Sequence, residues 1–83
     1  MIVADGFEEA FIGVVHRFGV YKPIAAYDRE MCIEILMRDG CSRDGAEEYF
    51  EYNVIGAWVG AQTPLFIERQ TLEEAEDRYE HQE

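Results

Sequence analysis

The stretch from Tyr27 to Gly60 constrains the fold most, because it reads as two helices hinged on a short, well-marked turn. Asp28 is a good N-cap: its carboxylate accepts from the free N–H groups of a first turn and suits the positive end of the helix dipole. The first helix is therefore expected to begin at Arg29. Cys32, Ile35 and Leu36 recur at i, i+3, i+4, and Ile33 with Met37 widens that stripe, while Glu30, Glu34 and Arg38 are left in water. Gly40 ends the helix, since glycine enters the left-handed region without a steric penalty.

Ser42 caps the second helix. Ala46, Phe50, Val54 and Trp58 follow at steps of four and, joined by Ala57, predict an apolar face about four turns long that needs a partner layer. Gly45 reads as a flaw costing about 1 kcal/mol against alanine; a glutamate there would have completed a capping box. Gly56 permits close packing or an early stop, and Gly60 is the expected terminator. The opposite face carries Asp44, Glu47, Glu48 and Glu51, whose like-charged i,i+4 pairs each cost about 0.2–0.5 kcal/mol.

Around this pair the chain supplies a small sheet. Ala10–Phe18 is rich in β-branched and aromatic residues and reads as a strand; its near-continuous apolarity predicts that both faces are partly covered, or that Gly13 marks a bulge or close approach. Gly19–Pro23 is the expected hairpin connection, and Ile24–Tyr27 a short second strand running into the Asp28 cap. Leu65–Arg69, with Pro64 at its head, predicts a third. The order ββααβ implies an α+β fold, a sheet of about three strands packed by two helices, as a single domain over residues 1–70. Thr71-Leu72-Glu73-Glu74 matches a capping box and opens a last helix, so 71–83 is expected as an acidic C-terminal helix or tail. Its apolar stripe is thin (Leu72, Ala75, Tyr79), and six acids between Glu73 and Glu83 face only Arg78, so its end should fray.

Size and charge narrow the function. Eighty-three residues, 48% of them hydrophobic, support one modest core. Eighteen acids against seven bases give −11, which opposes direct binding to nucleic acid or anionic membrane and suits a basic protein partner. No apolar run reaches the ~20 residues of a membrane span, and Asp5, Glu8 and Glu9 come closely after Met1–Ala4, unlike a secretory signal. The expectation is a cytoplasmic setting with Cys32 and Cys41 as free thiols, one buried and one in the turn.

The residues that could do chemistry are few, and none forms a catalytic set. Ser42 lacks a glycine-framed elbow and is accounted for as a cap. His16 on an apolar strand reads as solvent-facing or bonded to one backbone group, and His81 as solvated. Asp44, Glu47, Glu48 and Glu51 diverge from a regular helix, whereas a calcium loop needs irregular backbone to converge its oxygens. No metal, cofactor or enzymatic activity is therefore expected. Asn53 is expected to be half-buried and hydrogen-bonded to a neighbouring loop or strand, and Trp58 to belong to the core rather than to an interface.

The clustered acids carry the sharpest expectation. In the plain reading they are a solvated face that confers solubility. In the functional one, two ranks of carboxylates at helical spacing, on the second helix and the tail, imitate a phosphate backbone and occupy a Lys/Arg-lined nucleic-acid channel. The partner-binding residues would be Asp44, Glu47, Glu48, Glu51, Tyr52, Glu73, Glu74 and Asp77.

The segments Y-D-R-E-M-C-I-E-I-L-M-R-D-G, A-E-E-Y-F-E-Y-N-V-I-G-A-W-V-G and T-P-L-F, with F-I-G-V-V-H-R-F-G before them, resemble a group of short accessory proteins of tailed bacteriophages across roughly residues 6–67. The chain departs from that group at Val15-His16, at Gly45 and in the acidic tail after Arg69. The shared motifs are caps, core stripe and strand, and no activity comes with them. The resemblance implies a phage setting within a host cell, where small acidic accessory proteins inhibit defence machinery. The leading expectation is thus an anti-CRISPR-like inhibitor, a nucleic-acid mimic that binds a basic, nucleic-acid-handling host protein. The alternatives are a homo-oligomeric scaffolding module, such as a homodimer, using Tyr49, Tyr52 and Tyr79, or a small ligand-binding domain or enzyme built on His16 and nearby carboxylates.

Overall fold

Asp28 does begin the first helix. Its Oδ1 accepts from the Met31 N–H at 3.1 Å, and α1 runs Arg29–Arg38 before Gly40, at φ +114°, turns the chain. A computed structural model describes residues 1–57 and 59–80, so the expectations placed on Trp58 and His81 lie outside the described residues. Ser42 opens α2, Arg43–Tyr49, by accepting from the Gly45 N–H at 3.1 Å. Thr71 and Glu74 form the expected reciprocal capping box of α3, Leu72–Tyr79.

The fold is α+β, with the strands and helices in the order ββααβα. A 3-10 turn at Glu8–Ala10 leads into β1, Phe11–Arg17; β2 is Val20–Asp28 and β3 is Leu65–Ile67. The strand order is β1-β2-β3, with β2 antiparallel to β1 and parallel to β3. The register passes from Phe11↔Tyr27 to Gly13↔Ala26, so Ile12 is the extra residue of a bulge, as Gly13 suggested.

The connection between the first two strands is tighter than Gly19–Pro23. Phe18 and Gly19 alone make the turn, Gly19 supplying φ +84°, so β2 begins at Val20 rather than Ile24. Pro23 lies inside the strand, at the irregularity between the pairs Val15↔Ile24 and Arg17↔Val20, where a missing ladder donor does least harm. Leu65–Ile67 is shorter than the expected Leu65–Arg69; Glu68 and Arg69 leave the strand to form ion pairs with Arg78 and Asp28.

The strand buried on both faces is β2, not β1. Ile24, Ala25, Ala26, Tyr27 and Asp28 are all buried, whereas Phe11, Ile12 and Val14 are exposed. β1 is the outer strand of the sheet, so its apolar side chains have a neighbour on one edge only. The core gathers Phe7, Ala10, Ala25, Tyr27, Cys32, Ile33, Ile35, Ala46 and Phe50. Tyr27 is buried with its hydroxyl accepting from the Ala4 N–H at 2.8 Å, which ties down the first residues of the chain. Full burial of Tyr27 and Phe50 stabilises the fold by about 1.5–3 kcal/mol each.

The apolar face of the second helix is shorter than its four-residue spacing predicts. After Tyr49 the helix widens into a π-helical turn, Phe50–Ile55, which advances the chain by an extra residue per turn and rotates the residues beyond it. Ala46 and Phe50 remain buried, Val54 is half-buried and Ala57 is exposed. Met37, at the margin of the α1 stripe, is likewise exposed while Ile33 is fully buried. No residue of α3 is buried, in keeping with its thin stripe.

Candidate functional site

The acids of the second helix separate into two rows with different fates. Asp44, Glu48 and Tyr52 succeed one another at steps of four and are all exposed. Glu47 and Glu51 form the next row round the helix, and both are held by arginines. Arg43 Nε donates to Glu47 Oε1 at 2.8 Å and its Nη2 to Glu30 Oε2 at 2.9 Å; Arg29 Nη2 donates to Glu51 Oε1 at 3.0 Å. The Arg43 guanidinium holds the Glu30 carboxyl below the usual carboxylate range, and its two carboxylate partners push its own pKa upward.

These pairs belong to a polar cleft of about 790 Å³ where α1, α2 and α3 face the segment after β3. Arg29, Arg43, Arg69 and Arg78 line it together with Asp28, Glu30, Glu47, Glu51, Glu68 and Glu74. Arg69 Nε lies 2.7 Å from Asp28 Oδ2, so one buried carboxylate caps α1 with one oxygen and anchors the segment after β3 with the other. Arg78 Nη1 donates to Glu68 Oε2 at 2.7 Å, fastening α3 to the same segment. The pairs of Arg43 and of Arg78 are solvent-screened and worth ~0–1 kcal/mol singly, whereas Asp28 is shielded from water; together they share one cleft as a network.

The expected partner-binding set is therefore divided. Glu47, Glu51 and Glu74 line the arginine-rich cleft. Glu74 is committed to its capping box, where the Thr71 backbone and hydroxyl hold its carboxyl below the usual range. Asp44, Glu48 and Glu73 enter no ion pair among the described residues. Glu48 and Tyr52 border a shallow recess of about 390 Å³ shared with Gly45, Tyr49 and Asn53. Glu73 and Asp77 are exposed on α3 and border neither recess nor cleft. The rank on the second helix is thinned, because Glu47 and Glu51 are turned to the chain's own arginines, while Asp44 and Glu48, and Glu73 and Asp77 on α3, remain exposed. Asn53 is exposed rather than half-buried, because the π-turn carries it round to the rim of this recess.

A third cleft, of about 450 Å³ and more apolar, lies between the N-terminal segment and the π-turn, lined by Ile2, Phe7, Ile35, Val54, Pro64 and Phe66 among others. His16 is exposed on β1 and lines none of these three. Among the described residues no group of three or more His, Cys, Asp or Glu is gathered as a metal site, and no helix is long and apolar enough to cross a membrane. Cys32 is buried and Cys41 exposed, both as free thiols, and burial pushes the Cys32 thiol up to about 11.

Sequence reasoning missed the arginines that select which acids stay free. Arg43–Glu47 was legible as an i,i+4 pair, but Arg29–Glu51 spans 22 residues and depends on how α1 meets the π-turn. Compared with protein-family models, with curated proteins and with solved structures, the chain matches none.

Proposed function

We propose that this chain is a non-enzymatic binding protein that engages a basic protein through the strip Asp44–Glu48–Tyr52, with Tyr49 and Asn53 at its margin. The observation that carries the reading is selective neutralisation. Glu30, Glu47, Glu51 and Glu68 are matched to arginines, while Asp44 and Glu48, on the outer face of α2 beside the exposed Tyr49 and Tyr52, have no cation paired with them among the described residues. Two unpaired carboxylates beside exposed tyrosines give a Lys/Arg-bearing partner charge complementarity and aromatic anchors. The net charge of −11 steers such a partner from a distance.

A partner whose natural ligand is polyanionic fits this surface best, that is, a nucleic-acid-handling protein, and occupancy of its basic channel would inhibit it. The resemblance to phage accessory proteins supports a host defence effector of the CRISPR type as that partner. The mimicry is narrower than two full ranks of charge, since Glu47, Glu51 and Glu74 act mainly within the chain.

The test uses two paired reversals. Asp44→Lys with Glu48→Lys should abolish inhibition of DNA cleavage by a panel of CRISPR effectors while leaving the circular dichroism spectrum unchanged. Glu47→Lys with Glu51→Lys should lower the melting temperature instead, because it sets lysines against Arg43 and Arg29. Inhibition that survives the first pair, or that is absent from the native chain across the panel, rejects the reading. Where inhibition is present, it should weaken with added salt as exposed charges are screened.

A further inference from the structure

β1 has β2 on one side and no described strand on the other. β3 pairs only with Ala26–Asp28, so from Ile24 to the turn the hairpin is a two-stranded arm. Such ribbons are marginal alone in water, yet this one displays apolar surface: Phe18 and Tyr21 are fully exposed, and Phe11, Ile12 and Val14 are 40–46% exposed. An outer strand also offers a row of unpaired backbone donors and acceptors, a template for another strand.

Charge identifies what pairs there. In a chain of net charge −11, no Asp or Glu occurs from Ala10 to Tyr27. Arg17 and Lys22, both on the arm, are the basic side chains outside the ion pairs of the described residues. Two copies repel through their acid-bearing surfaces; the other long acid-free stretch, 52–67, carries no basic side chain, so the arm is where basic side chains and an open strand edge coincide. β1 moreover carries opposite charge at its two ends, with Glu8 just before its first residue, beside a Glu9 already held by Arg38 at 3.0 Å, and Arg17 as its last. A parallel neighbour would set like charge on like. An antiparallel one sets each Arg17 beside the partner's Phe11 and towards the acidic turn before it.

We infer that a second copy of this chain adds antiparallel to the outer edge of β1, about a two-fold axis near Val14, to make one continuous sheet through both subunits. This is strand addition with an isologous interface. Closure is built in, because pairing consumes both β1 edges and leaves the three-residue β3 at each rim, too short to propagate a sheet. The inference does not rest on the acidic strip, which lies on α2 and the π-turn, so either can fail alone.

Sedimentation equilibrium across a concentration series into the millimolar range should show a species of twice the 9.6 kDa chain mass. Val14→Lys, at an exposed position, should leave a folded monomer. Arg17→Glu should weaken the dimer by about tenfold, since the symmetric interface contains two such contacts, and Arg17→Glu combined with Glu8→Arg should restore it. A monomer at all concentrations overturns the inference, as does a dimer indifferent to Val14→Lys with its circular dichroism unchanged. A charge swap that fails to restore what Arg17→Glu removes rejects the antiparallel pairing.

Discussion

Truncating Phe50 to alanine should bring this chain close to its unfolding limit. The ring is fully buried, edge-on to Phe66 at 5.0 Å and to Phe7 at 6.5 Å, with the Arg29 guanidinium 5.5 Å from its centroid. Phe→Ala in a core costs about 3–5 kcal/mol, and the T-shaped pairs add ~0.5–1.5 kcal/mol each beyond burial, which places Phe50→Ala at the upper end, near 4–5 kcal/mol. Whole-domain stability of ~0.05–0.15 kcal/mol per residue gives roughly 4–12 kcal/mol for a chain of this size. One ring thus accounts for a large share, because Phe50 joins β3, the N-terminal segment and the second helix at a single point. The expected fall in melting temperature is at least ~15 °C at about 4–8 °C per kcal/mol. Thermal unfolding followed by far-ultraviolet circular dichroism measures that fall and urea titration the free-energy loss, with Phe50→Leu as a milder comparison. A loss below ~1.5 kcal/mol for Phe50→Ala, or equal losses for the two variants, would refute the view that aromatic packing at the start of the π-turn holds the layers together.

Thiol labelling of the native chain should modify Cys41 rapidly and Cys32 only on opening; equal rates at pH 8 would contradict the burial of Cys32. Because the folded Cys32 keeps its proton up to about 11 while the unfolded thiol releases it near ~8.5, its contribution is whole below the lower value and drains away as pH rises towards the upper one. The alkaline fall in urea midpoint should therefore be smaller in Cys32→Ala than in the native chain. Gly45→Ala should gain less than the ~1 kcal/mol that helix propensity offers, since a Cβ there would lie 3.1 Å from the capping Ser42 Oγ; thermal unfolding showing the full gain would mean that the cap yields freely.

Local chemistry was legible in the sequence and placement was not. Asp28, Ser42 and Thr71 each act on a backbone group three residues away, so their caps could be read without knowing the fold. Whether β1 or β2 lies in the middle depends on where β3 docks, and β3 comes from the far side of both helices; apolar content points to the wrong strand. The signal that favours β2 is Ala25-Ala26, small side chains that let layers approach on both faces, and it is weak beside a run such as Phe11–Val15. The π-turn is hidden because Ala46, Phe50 and Val54 satisfy ordinary helical spacing. Gly45 reads as a flaw only because propensity ignores the hydroxyl above it. At the acidic site, composition gives the sign of the surface but not its grain: only tertiary contacts through Arg29 and the reach of Arg43 distinguish the acids that are spent internally from Asp44 and Glu48.

The parallel pairing of β3 with β2 has a kinetic consequence. The hairpin closes through two residues and α1 comes directly after it, so these contacts are local and form early. Leu65 must return to Ala26 across both helices and the π-turn, at a loop-closure cost that no contact repays until the strand docks. On a ribosome the nascent hairpin and α1 would wait, with one flank of Tyr27 open, until Phe66 emerged to stack on it at 5.7 Å. Refolding should accordingly show the hairpin and first helix gaining protection from hydrogen exchange before β3, and truncation ahead of Leu65 should leave a collapsed, exchange-labile species.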